Sequence, residues 1–150
     1  FLKKIHSRLY RNLPCPVLMV KNLTSLEKGI LALGEDGDMQ SCVSVFLKLF
    51  EGVAVDLDLL CCRFQDTGGA AGRDASSRSE AGLRTAEKLL TEKGCIPRAS
   101  RVVEGVSDAL DRSLRDYGLV LSSLARENIE KSPIVDLLSR NPSPVLIGWR

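Results

Sequence analysis

Residues 139–150 read SRNPSPVLIGWR, and residues 11–21, RNLPCPVLMVK, carry the same phrase near the other end of the chain. In both copies a proline ends a helical pattern and a short aliphatic run follows, at 17–20 and at 145–147, which reads as helix then strand. Upstream of the first copy, Leu2, Ile5, Leu9 and Leu13 recur at the spacing of one helix face. Upstream of the second, Ser132 is placed to cap a helix with Pro133 at its first position, and Ile134, Leu137 and Leu138 line one side of it until Pro142 stops it.

Between the copies the chain alternates strands with helices. GILAL (29–33) reads as a buried strand and GEDGD (34–38) as a turn, with Asp38 as N-cap of a helix carrying Met39, Cys42, Val43, Phe46, Leu49 and Phe50 on one side. Gly52 closes that helix, and VAVDLDLLCCRF (53–64) has the β-branched, alternating character of a second strand. QDTGGAAGRDASSRS (65–79) is rich in Gly, Ser and Ala without a period and predicts a mobile loop. A helix over about 80–93 follows, joining Leu83, Ala86, Leu89 and Leu90 and ending at Gly94. RASRVV (98–103) is a polar strand suited to a sheet edge. Ser107 then caps a helix with Val106, Leu110, Leu114 and Tyr117 on one face, and Gly118 ends it before the strand LVLSS (119–123).

From Gly29 onward the order is βαβαβαβαβ. Parallel neighbours need a crossover, and crossovers put helices on the faces, so the pattern predicts an α/β fold with an open, mostly parallel five-stranded sheet covered on both sides. Residues 29–148 complete such a fold by themselves. The helix and strand of 1–22 are surplus to it and match its closing helix and strand, so the chain divides into the end of a preceding unit (1–22) and one whole domain (23–150), the pattern of a tandem. A helical pattern already under way at Phe1, with no initiating Met, adds the expectation of a larger protein.

Composition narrows the function. With 150 residues, 44% hydrophobic and 27% charged, this is ordinary globular material able to bury a core. A net charge of +2 and 5% scattered aromatics leave no basic, stacking surface, which argues against nucleic-acid binding. No run approaches the apolar length of a membrane span, so no direct membrane contact is expected. The five cysteines, an odd number without a C-x-x-C pair, predict reduced thiols and a cytoplasmic setting. Cys61 and Cys62 are adjacent in a strand and point to opposite faces.

The layout, the EDGD turn after the first strand (35–38) and the helix followed by NPSPVLI (141–147) resemble the universal stress protein family over residues 29–148, with 1–20 similar to the end of a preceding copy. Family members that bind ATP share a G-x2-G-x9-G-[S/T] loop before the last helix, whose backbone N–H groups hold the phosphates. Aligned on Pro144, Val145 and Leu146, the final G-[S/T] falls on Lys131 and Ser132 and the opening glycines on or near 122–126, where no glycine stands. The segment is also shorter than the family spacing. Without glycine the backbone cannot approach phosphates closely. The aspartate that the resemblance places against the adenosine falls on Gly34, with Asp36 displaced from it.

The resemblance leaves two readings of the site. In the first, ATP binds weakly or not at all, no cofactor is needed, and the domain acts in stress response or regulation through an unidentified protein partner. In the second, Asp36, Arg126, Lys131 and Ser132 form a degenerate ATP/AMP site. A cytosolic regulatory domain fused to a membrane transporter would look the same. The resemblance also implies dimerisation through last strands that meet antiparallel. Pro14 and Pro16 give the strand at 17–20 an outer place, so Val17, Leu18 and Met19 are expected beside Val145, Leu146 and Ile147, within the chain or between two copies, with Leu9 and Leu137 flanking.

Nothing in the sequence predicts an enzyme or a metal site. His6 has no nearby nucleophile in sequence, and GGAAGR (68–73) lacks the G-K-[ST] ending of a phosphate loop. Asp56 and Asp58 share one strand face but sit early in the strand, away from the carboxyl end where ligands of open α/β sheets bind, and read as a solvated strand entrance.

Overall fold

The computed structural model describes residues 12–13, 15–22, 29–35, 38–63, 70–105, 108–126, 129 and 132–149. The elements, in chain order, are β1 (Val17–Met19), β2 (Ile30–Glu35), α1 (Met39–Phe50), β3 (Leu57–Arg63), α2 (Ala70–Glu92), β4 (Ala99–Glu104), α3 (Asp108–Leu114), β5 (Leu119–Leu124), α4 (Pro133–Arg140) and β6 (Val145–Trp149). The strands form one six-stranded sheet in the order β1-β6-β5-β2-β3-β4. Every neighbouring pair is parallel except β1 with β6. The fold is therefore the expected α/β sheet, with the surplus strand added to its edge.

Burial explains where each strand lies. β3 and β5 are mostly apolar and are buried on both faces, and both lie inside the sheet. β4 alternates exposed with half-buried residues and forms one edge. On one face Leu110 and Leu114 of α3 and Ile134, Val135, Leu137 and Leu138 of α4 pack against Leu33, Leu60, Val120 and Ile147. On the other, Met39, Cys42, Val43 and Phe46 of α1 and Leu83, Ala86 and Leu90 of α2 cover Ile30, Leu59, Leu121 and Leu146. Cys62 belongs to the first face and Cys61 to the second.

Two boundaries differ from expectation. α2 begins at Ala70, about ten residues before the start that periodicity suggests. Periodicity reports the burial of a helix face, whereas helicity needs only compatible residues. Three alanines, two arginines and no proline between 70 and 79 suffice, with Gly72 costing about 1 kcal/mol. The expected loop is thus helical from residue 70, and 64–69 lie outside the described residues. β3 starts at Leu57 because both its neighbours start there: Ile30 pairs with Leu57 and Ala99 with Asp58. Among the described residues, no strand register extends to 53–56. Just before β2, a Cβ on Gly29 would stand 2.7 Å from the Asp56 carbonyl oxygen, so this approach of the two strand entrances requires glycine.

Candidate functional site

In the sheet order, β2 leads to β3 and β4 on one side while β5 and β6 lie on the other, so the direction of winding reverses between β2 and β5. The crevice at the carboxyl ends of these two strands is where an open α/β sheet takes its ligand. Their pairing ends at Leu33 and Ser122. Beyond that point side chains hold the strands together. Ser122 Oγ donates to the Leu33 carbonyl at 3.1 Å, and Cys42 Sγ donates to the same oxygen at 3.0 Å while accepting the Ser123 N–H at 3.2 Å. All three residues are buried. Cys42 is therefore a fastener between α1, β2 and β5.

Met39 completes this packing. A Cβ on Gly34 would lie 2.2 Å from Met39 Sδ, and Met39 is fully buried. The position where the resemblance places an adenosine-binding aspartate is thus a glycine with a thioether against it. Of the other nucleotide candidates, Arg126 donates to the Leu13 carbonyl at 2.8 Å, an assignment to the N-terminal segment that its sequence position does not reveal. Ser132 occupies the N-cap of α4, where its carbonyl accepts the Val135 N–H at 3.0 Å and its side chain makes no capping hydrogen bond. Asp36 and Lys131 lie outside the described residues, as do His6, Leu9 and Ser107.

The six strand-edge residues come together within one chain. Val17 pairs with Ile147, Leu18 with Leu146 and Met19 with Val145, antiparallel. Leu137 is buried beneath. Past the strand, Lys21 Nζ donates to the carbonyl of Leu138 and, at 2.5 Å, to that of Asn141, while Asn22 Nδ2 donates to the Pro142 carbonyl at 3.3 Å. Partial burial lowers the Lys21 ammonium from its ordinary pKa. Sequence reasoning missed Lys21, because nothing local marks a lysine whose acceptors lie more than a hundred residues away.

A polar cluster at the opposite, amino end of the strands corrects the reading of Asp58 as solvated. Asp58 is buried, and Arg98 grips it with Nε at 3.2 Å from Oδ1 and Nη2 at 3.1 Å from Oδ2. Tyr117 Oη donates to Oδ2 at 2.6 Å. Asp56 stays exposed and takes a third Arg98 contact at 3.3 Å. Burial, then the bond to Asp58, pushes the Tyr117 phenol up to about 12. Because the folded state holds this proton more tightly, its contribution is complete below the free phenol's pKa of about 10 and is lost as pH rises through about 12. Urea melts across that window should show a fall in stability that Tyr117→Phe reduces. Asp58→Ala, leaving the Tyr117 hydroxyl without its acceptor, should cost about 2 kcal/mol at neutral pH.

Among the described residues no three His, Cys, Asp or Glu side chains cluster as metal ligands, and no helix is long and apolar enough to cross a membrane. No family model and no curated protein sequence matches the chain. Solved structures do. A universal stress protein family member from Burkholderia pseudomallei superposes with a TM-score of 0.59 at 20% identity, over 83% of this chain and 98% of that one. A universal stress protein in complex with cAMP gives 0.56 at 17%, over 80% and 96%. A universal stress protein from Archaeoglobus fulgidus gives 0.58 at 14%, over 90% of this chain and half of that longer one. On sheet order, helix placement and these superpositions, the chain has the universal stress protein fold.

Proposed function

We propose that this is a universal-stress-protein-like domain that acts in stress response or regulation through protein contacts, without ATP and without catalysis. The observation that carries the reading lies at the carboxyl ends of β2 and β5, where Met39 packs against Gly34, the position at which the resemblance places an adenosine-binding aspartate, and Cys42 and Ser122 engage the Leu33 carbonyl. Arg126, engaged with Leu13, is drawn from the same set. The unbridged cysteines, with Cys42, Cys61 and Cys62 buried, suit a reducing, cytoplasmic setting.

One structural relative holds cAMP, which keeps a degenerate nucleotide site as the second reading. Calorimetry with ATP, AMP and cAMP separates the two. No heat of binding is expected at hundred-micromolar ligand. A dissociation constant in the low micromolar range, about 8 kcal/mol, would overturn the first reading.

The contact surface we assign to this function is the last strand. The phrase twins Val17-Leu18-Met19 and Val145-Leu146-Ile147 pair so that exchanging the copies swaps the two outer pairs and leaves the central pair, Leu18 with Leu146, in place. Such a self-complementary register is that of a two-fold interface. It supports reading residues 1–22 as the end of a preceding unit, with β1–β6 as a pairing between two like domains.

A further inference from the structure

We propose that the hollow between the carboxyl ends of α1 and α2 binds a small organic cation with an apolar body, of the arylalkylammonium class. α1 leads into β3 and α2 into β4, so the hollow lies at the amino ends of the strands, opposite the β2–β5 crevice. It takes no residue from β6, and it stands or falls separately from the proposed function.

The chain builds the hollow from two matching exits. Two residues past the end of each helix stands a glycine in the left-handed conformation, Gly52 at φ 76° and Gly94 at φ 77°, which turns the chain away from the helix axis. The two turns flank a space of about 470 Å³, within the range of about 300–1,000 Å³ found for small-ligand pockets. Phe46, buried, and Phe50 line it as a stacked pair, with ring centres 5.3 Å apart and planes at 16°. Val53 and Ile96, also lining it, are 55% and 77% exposed. An apolar body seated here removes uncovered apolar surface from water.

Charge sets the sign of the ligand. Helix carboxyl ends carry partial negative charge, and two of them meet at this hollow. Of the charged side chains that line it, Glu51 and Asp56 are carboxylates and Lys93 is the one cation. Lys93 reaches Glu51 at 4.0 Å across an exposed gap, a contact that a closer ammonium displaces readily. Asp56 shares Arg98 with Asp58, which leaves two carboxylates on one guanidinium. An ammonium therefore gains from the mouth of the hollow what a carboxylate would lose, and the faces of the two phenylalanine rings attract a cation further.

Cys95 also lines the hollow and reports its occupancy, while Cys15, exposed and remote in sequence, serves as the internal reference. The full chain is treated with iodoacetamide, and alkylation of each cysteine is followed by mass spectrometry with 2-phenylethylammonium, 2-phenylethanol or 3-phenylpropanoate present at equal millimolar concentration. The ammonium should slow alkylation of Cys95 about 10-fold and leave Cys15 unchanged, whereas the alcohol and the carboxylate should each slow it less than about 2-fold. Glu51→Gln should reduce the protection given by the ammonium about 5-fold and leave the effect of the alcohol as it was. Ile96→Ser, at an exposed site that leaves the fold intact, should weaken the ammonium by a similar factor. Absence of protection, equal protection by the three probes, or protection unmoved by both substitutions would each overturn the proposal. So would protection of Cys95 that grows with protein concentration alone, since the hollow would then be a contact between copies of the chain. A parallel titration with ATP reads the proposed function separately, because nucleotide binding would refute an ATP-free domain without changing the ranking of the three probes at Cys95.

Discussion

Gly148→Val should lower stability by about 3 kcal/mol, and adding Val45→Ala to the same chain should restore most of it. Gly148 lies in β6 opposite Ser123, beneath α1. A Cβ there would stand 2.2 Å from Val45 Cγ2, 3.2 Å from its Cβ and 3.3 Å from Cγ1. A β-branched side chain has one strongly preferred rotamer in a helix and cannot swing aside, so the helix itself would have to lift from the sheet. Moving the volume from the helix to the strand keeps the contact filled. Urea melts of the two single variants and the double variant measure the coupling. A cost below about 1 kcal/mol for Gly148→Val would mean that α1 rides higher over β6 than the structure shows.

Deleting residues 1–22 should convert a chain of one mass into one that self-associates, with the apparent mass in sedimentation rising about twofold over the micromolar range. The deletion removes β1 and leaves the β6 backbone groups that faced it unpaired. Val145, Leu146 and Ile147 are all apolar, which makes the uncovered strand a hydrophobic edge of the kind that recruits another strand. The register symmetry about Leu146 lets a second β6 take the vacated place. Val145→Pro attacks the same ladder from the other strand. The Pro144 carbonyl accepts the Val120 N–H and so faces β5, hence the amide of the next residue faces β1. Removing it should free β1 while the β5 side stays bonded. Unchanged mass and solubility of the truncated chain would show that β1 is a passenger on an edge that needs no cover.

The order of elements, the parallel sheet, the polar edge strand β4 and the opposite facing of Cys61 and Cys62 were all legible in the sequence. Each is written in the spacing of neighbouring residues: a period of two or a buried run for strands, 3.6 for helices, with Gly and Pro as stops. The lack of glycine in the phosphate segment was legible for the same reason, since backbone reach is a property of the local residues. The first turns of α2 were not, because residues 70–79 carry no apolar period to read. Asp58 looked like a solvated carboxylate until Arg98, 40 residues on, and Tyr117, 59 residues on, were brought to it. Met39 against Gly34 depends on how α1 is laid over β2, and Lys21 at the end of α4 joins positions 117 residues apart. Local pattern decides which segments become strands and helices. Which side chain meets which partner is decided only when those segments pack, because burial and hydrogen bonding there act between residues that the sequence keeps far apart.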